Sequence, residues 1–222
     1  MAASTDAVLL VTAFAPFDGA ATNASLILLD KLKEMDWQGR VVFFGPVPVE
    51  FDNAWPLIQQ EMSRYPNLQG VLALGQAEGR REISLERVAM NWMDARIPDN
   101  AGNQPRQQRI DATAPVALKD TFPWHQLESS ACRVKSYSAG TFVCNTLMFH
   151  LLRWAEREGK TAGFVHVPLL ESQKADAAFR ADTPRMDDAR ALRSIARIVG
   201  FSLETLDRKL APGAAPEPPR PA

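Results

Sequence analysis

Cys144 follows the turn-prone stretch Ser136-Tyr-Ser-Ala-Gly140 and opens a segment in which Val143, Leu147, Leu151 and Ala155, with Met148 and Leu152 beside them, recur at helical spacing. A thiol in the first turn of a helix sits among unpaired N–H groups at the positive end of the helix dipole, a setting that lowers its pKa and favours a nucleophilic thiolate. Cys132 has no such setting and reads as a small apolar space-filler. A thiolate nucleophile needs a partner that can take and return a proton, and the chain has three histidines, His125, His150 and His166. His166 belongs to Gly163-Phe-Val-His-Val-Pro168, a short strand ended by proline, so its side chain can project into the crevice where α/β sheets bind ligands. His150 lies six residues beyond Cys144 on another face of the same helix, and His125 sits beside Trp124 in an irregular stretch. Both read as ordinary surface or packed histidines. A carboxylate should orient the imidazole. Glu78, Glu82 and Glu86 all follow the third strand near the same crevice, and residue pattern does not choose among them.

The elements that must position these groups alternate along the chain. Ala7–Phe14 is a continuous apolar run, as expected of a strand buried on both faces. Asn23 or Ser25 caps a helix reaching about Met35, with Leu26, Leu28, Leu29 and Leu32 inward. A strand at Val41–Phe44, extended past Pro46 through Val47–Val49, precedes a helix over Asn53–Tyr65 with Pro56 in its first turn. Val71–Gly75 is the third strand. From Asn91 to about Leu127 periodicity is lost, and such long irregular segments are usually functional or mobile loops. A last helix starts near Asp187, buries Leu192, Ile195, Ala196 and Val199, stops at Gly200 and resumes over Ser202–Leu210. The pattern predicts an α/β fold, a sheet of parallel character covered by helices on both faces, over residues 1–210 as one domain. Residues 211–222, with five prolines, read as a disordered tail.

Composition narrows the function. The chain has 222 residues, 46% hydrophobic and 23% charged, with a formal charge of −1. No broad positive field exists to attract nucleic acid or an anionic membrane. The N-terminal apolar run is short and lacks a preceding Lys or Arg, unlike a signal peptide or membrane span. Two cysteines make no disulfide framework, so a reducing, cytoplasmic location is expected.

Five stretches stand together along the chain. Two are Thr12-Ala-Phe-Ala-Pro-Phe-Asp-Gly19 with Asn23, and Gly75-Gln-Ala with Glu86-Arg-Val-Ala-Met-Asn91. The others are Asp94-Ala-Arg-Ile-Pro-Asp-Asn100 with Gly102-Asn-Gln-Pro105, Ser138-Ala-Gly-Thr-Phe-Val-Cys-Asn145 and Gly163–Pro168. Taken together they resemble the pyroglutamyl peptidase I family of cysteine peptidases, which remove N-terminal pyroglutamate. The resemblance runs to about residue 200. It implies Cys144 as nucleophile, His166 as base and Glu86 as the acid that orients it, with Arg96 beside the oxyanion. It also implies that Phe14, Phe17, Ile97, Phe142 and Val143 line a lactam pocket supported by Asn23 and Gln76. The family fold is a single α/β/α sandwich around a twisted mixed sheet, acting without metal or organic cofactor, on peptides that begin with pyroglutamate, and often as dimers or tetramers.

The chain departs from the family pattern at Ala13, Asp18, Ala24 and Thr146, where glycine, glycine, proline and histidine are usual. None of these is a proposed catalytic group. Asp18 brings a new carboxylate close to the expected pocket, and it and Thr146 motivate an alternative, a catalytically silent relative that binds capped peptides.

Overall fold

The computed structural model of the chain describes residues 8–127 and 133–211; Cys132 and residues 212–222 of the proline-rich tail lie outside them. The apolar run near the start forms β1, Leu9–Phe14, buried throughout. Asn23 is the cap of α1, Ala24–Lys33, its Oδ1 accepting the Ser25 N–H at 3.0 Å. β2, Val41–Val47, continues through Pro46, and α2, Ala54–Met62, carries Pro56 in its first turn as expected. Then follow β3, Gly70–Gln76; β4, Ile83–Glu86; β5, Val88–Met90; β6, Ala117–Lys119; and β7, Arg133–Ser136. Beyond them lie α3, Val143–Glu158; β8, Thr161–Val167; the short β9, Leu169–Leu170, and β10, Arg185–Met186; and α4, Asp188–Leu210.

Six strands form one sheet in the order β2-β1-β3-β8-β4-β7. The first four are mutually parallel; β4 pairs antiparallel with β8 and parallel with β7. The fold is thus a mixed, largely parallel sheet between helices. Alternation along β1 divides the core between the two faces. Leu9, Val11 and Ala13 pack with Leu28 and Leu32 of α1 and Ile195 and Val199 of α4. Leu10 and Phe14 pack with Ile58 of α2 and Leu147 and Leu151 of α3. Because β2 and β3 flank β1 on opposite sides, the chain order reverses at β1/β3, and a crevice is expected outside the strand ends there. Among the described residues, no helix is long and apolar enough to cross a membrane.

Two expectations need correction. The last helix does not stop at Gly200: α4 is continuous over 23 residues. A glycine ends a helix when it adopts a left-handed conformation, and Gly200 does not. Buried Phe201, Ser202 and Leu206 carry the inward stripe across it. The stretch from 91 to 127, irregular for most of its length, also holds regular pairing: β6 runs antiparallel to β5, and Met93 and Gln108 exchange backbone hydrogen bonds. Side chains add to this order. Asn91 Nδ2 donates to the carbonyls of Asp111 and Ala114, and its Oδ1 accepts the Asp111 N–H. Asp99 Oδ1 accepts the N–H groups of Ala101 and Asn103.

Asn145 joins this region to α3. It is fully buried, its Oδ1 accepts the Met90 N–H at 2.9 Å, and its Nδ2 donates to the carbonyls of Met90 at 2.8 Å and Trp92 at 3.0 Å. Truncation would strand one donor and two acceptors away from water. Asn145→Ala should therefore lower unfolding free energy by about 2–4 kcal/mol in urea titrations; a loss under about 1 kcal/mol would show that the anchor is dispensable.

Candidate active site

Three strand ends and one helix start meet at the crevice. Phe14 is the last residue of β1, Gln76 the last of β3 and His166 the penultimate residue of β8, while α3 begins at Val143. Cys144 is the second residue of that helix. Phe142 occupies the cap position without a side-chain cap bond, unlike Asn23 on α1 and Asp187 on α4. Among the described residues, the first-turn N–H groups beside the thiol thus receive no side-chain oxygen from the cap position. The thiol packs against β3 at Gly75, where a Cβ would lie 3.2 Å from Sγ and 2.8 Å from Cζ of Phe164. Gly75 is the register partner of His166 in the β3/β8 pair.

His166 is buried, and its Nδ1 lies 2.7 Å from Oε1 of Glu86. Reversal of β4 makes this contact. With Ser84 opposite His166 and Glu86 opposite Phe164, Glu86 lies diagonally across the antiparallel pair from the imidazole. Among the three glutamates left open by pattern, only Glu86 makes this bond. Glu78 is exposed and accepts from Thr183 Oγ1 at 3.4 Å, and Glu82 is partly buried, with its carbonyl accepting from Ser84 Oγ at 3.4 Å. Glu86 is fully buried, and a second donor shares Oε1: Arg80 Nη1, at 2.6 Å. Arg80 also donates from Nη2 to the Ser138 carbonyl at 3.1 Å. Residue pattern drew attention to the glutamates of this stretch and passed over the arginine among them.

Burial dominates the electrostatics. It would raise Glu86, but the hydrogen bond and charge of His166, the nearby Ser136 hydroxyl and Arg80 hold the carboxyl below its ordinary range. Burial lowers His166 against the opposing hydrogen bond and charge of Glu86. The Cys144 thiol is pushed up to about 12, first by burial and then by the Glu86 carboxylate, despite the opposing effects of Arg80 and of Cys144's own N–H. The helix start alone predicts a lowered thiol. Packing of the thiol against Gly75 and Phe164 works against that expectation, raising the thiol while burial lowers the imidazole.

Among the remaining candidates, ring contacts join Phe14 to Phe164 and Phe17 to Phe142. Phe14 is buried, with its ring 6.4 Å from that of Phe164. The half-buried Phe17 and Phe142 rings are 6.4 Å apart, Ile97 is half-buried and Val143 is buried. Phe51, absent from the expected set, meets Phe142 edge-on at 5.2 Å. Its N–H donates to Asp99 Oδ2 at 2.8 Å, so the irregular loop holds an aromatic wall in place. Asn23 Nδ2 ties the helix cap to the Ala15 carbonyl. Gln76 Oε1 accepts from the Ala24 N–H at 2.7 Å and from Gln173 Nε2 at 2.9 Å. The first bond exists because residue 24 is not proline. Thr146 is buried, its hydroxyl 3.4 Å from the Phe142 carbonyl within α3. Asp18 is exposed in a left-handed conformation, φ 52°, which aspartate tolerates. Arg96 is exposed, and its guanidinium makes no hydrogen bond or ion pair among the described residues. Its segment is nonetheless fastened to the approach to α3 through Asp94 N–H to the Thr141 carbonyl and Thr141 Oγ1 to the Asp94 carbonyl.

The chain resembles known proteins in sequence and in fold. Residues 7–202 match the family model described as pyroglutamyl peptidase. The pyrrolidone-carboxylate peptidase of Erwinia tasmaniensis is 36% identical over 212 residues, covering 92% of this chain and 97% of the relative. That of Klebsiella pneumoniae is 37% identical over 214 residues, with the same coverages. Among solved structures, the pyrrolidone carboxyl peptidase of Thermococcus litoralis superposes with a TM-score of 0.80 at 31% identity, covering 95% of this chain and all of that one. Pyroglutamyl peptidase I of Bacillus amyloliquefaciens gives 0.79 at 27% identity, covering 88% and 94%. With nearly the whole chain matched in sequence and in fold, the protein belongs to the pyroglutamyl peptidase family, a family of peptide hydrolases.

Proposed function

We propose that the chain hydrolyses the bond after an N-terminal pyroglutamyl residue, with Cys144 as nucleophile, His166 as proton carrier and Glu86 as its orienting carboxylate. The buried His166–Glu86 bond beside a thiol at an uncapped helix start carries this reading. As Sγ attacks the scissile carbonyl, its proton passes to Nε2 of His166, and Glu86 stabilises the imidazolium through Nδ1. The tetrahedral oxygen is held by the Cys144 N–H and the Arg96 region; one such donor is worth roughly 3 kcal/mol of barrier. The imidazolium then protonates the departing amine. Water, deprotonated by His166, hydrolyses the thioester and frees pyroglutamate.

The pocket suits a flat, neutral lactam. Phe14, Phe17, Phe142, Ile97 and Val143 supply apolar surface, Phe51 backs the wall, and Asn23 and Gln76 supply polar edges. Gln76 commits its Oε1 to the chain through two hydrogen bonds, leaving its amide group for a substrate carbonyl. A prolyl N-terminus has nearly the same shape but adds a cation and lacks the lactam carbonyl. Desolvating that cation costs more than cation–π attraction returns, and the unmatched donor adds roughly 1–3 kcal/mol.

Pyroglutamyl-aminomethylcoumarin tests the reaction. Wild type should release the coumarin. Cys144→Ser should lose on the order of a thousandfold or more in kcat while keeping its fold, and Glu86→Gln on the order of a hundredfold with little change in KM. Near wild-type rates in either variant would remove that residue from the mechanism. At Gly75 a methyl group would press on both Phe164 and Cys144 Sγ. Gly75→Ala should lower kcat about tenfold or more by displacing the thiol, and an unchanged rate would mean that the thiol position is not critical. Prolyl substrates should trail pyroglutamyl ones by at least a few hundredfold in kcat/KM, for wild type and Asp18→Gly alike. Comparable prolyl cleavage by wild type would rule out a neutral-lactam pocket.

A further inference from the structure

The buried Glu86 carboxylate poses a charge problem that the proposed catalytic group does not solve by itself. Burial works against a charge on His166, so the imidazole alone is a poor counter-ion, and an isolated anion at full burial is strongly disfavoured. Glu86 Oε2 has no partner in hydrogen-bond geometry among the described residues, so compensation runs through Oε1. Arg80 meets Oε1 at 2.6 Å from a turn after β3 that reverses through Gly79, φ 83°. Its other arm binds the Ser138 carbonyl, in the turn that leads into α3 and Cys144.

We infer that Arg80 is the resident counter-ion of Glu86 and the positioning residue that fastens this carboxylate to the turn presenting the nucleophile. The assignment rests on the peptidase reading for its consequence in turnover but not for its geometry. The groups bearing on Arg80 are Glu86 from β4, His166 from β8, Cys144 from α3 and the Ser138 carbonyl, while the Ser136 hydroxyl from β7 bears on Glu86. Beside it, Arg81 is exposed and Glu82 is partly buried. The positive charge of Arg80 disfavours protonation of His166 and favours ionisation of Cys144. Arg80 lowers both the thiol and the imidazole, so removing this cation raises both pKa values. The active window should therefore move to higher pH. A purely structural arginine would change rate or stability and leave the window in place.

The test compares wild type with Arg80→Met, Arg80→Gln and Arg80→Lys. The rate of iodoacetamide alkylation at Cys144, resolved from Cys132 by peptide mass spectrometry, is followed against pH alongside kcat/KM for the coumarin substrate. In the Met and Gln variants, the alkylation midpoint and both limbs of the kcat/KM profile should shift upward by about half a pH unit or more. Arg80→Lys should keep the wild-type profile at a severalfold lower rate, because an ammonium retains the charge without the two-armed grip. A Met or Gln variant that folds, by circular dichroism, with a profile superimposed on wild type overturns the inference. Alkylation needs no turnover, so an Arg80-dependent shift in a chain that releases no coumarin would refute the peptidase reading and leave the assignment of Arg80 intact.

Discussion

A carboxylate at full burial can persist only where its charge is met, and the arrangement around Glu86 meets it twice on one oxygen, from His166 at 2.7 Å and Arg80 at 2.6 Å. Much else at the crevice follows from that requirement. The sheet must reverse direction at β4 to bring Glu86 diagonally across from His166, which is why an otherwise parallel sheet carries an antiparallel pair there. The turn after β3 must fold back to place Arg80. The helix bearing Cys144 must pack closely enough on Gly75 that no side chain larger than hydrogen fits between them. Asn145, one residue beyond the thiol, then ties that helix to the backbone at Met90 and Trp92.

Two opposing effects act on the thiol, and their ranking decides how the proposed chemistry begins. The helix dipole and first-turn N–H groups favour a thiolate by amounts typical of a helix terminus, about 0.3–1 kcal/mol and up to about 2 when partly buried. Burial and the neighbouring Glu86 charge act the other way and prevail, pushing the thiol up to about 12. In the proposed chemistry the thiol and the imidazole start neutral, so proton transfer is part of the attack. In that account Glu86 acts mainly once the imidazolium forms, and Arg80 keeps it ionised beforehand.

Features set by local patterning were legible in the sequence. The apolar runs of β1, β3 and β8, the helical stripe of α3, Cys144 at its start and His166 near a strand end all rest on composition and period. Features set by distant partners were not. Glu86 could not be separated from Glu78 and Glu82 by pattern, because the choice depends on an antiparallel register between segments eighty residues apart in sequence. The order of the 91–127 stretch comes from Asn91, Asp99 and Asn145 bonding to backbone groups and from a strand of three residues, β6, too short to leave a periodic trace. Gly200 was misread because glycine ends a helix only through a left-handed conformation, and the buried stripe of α4 holds it helical. The opposing influences on the thiol differ in reach for a related reason: the dipole is local to the helix, whereas burial depends on the whole sheet.

The account turns on His166 resting as a neutral imidazole with its proton on Nδ1, held by Glu86. Nitrogen NMR of the chain labelled with ¹⁵N-histidine reads this directly, with the His166 signals assigned by their loss in His166→Gln. At pH 7 the account predicts one protonated and one unprotonated ring nitrogen, with the proton on Nδ1. Two protonated nitrogens at that pH would establish a resting thiolate–imidazolium pair and contradict it.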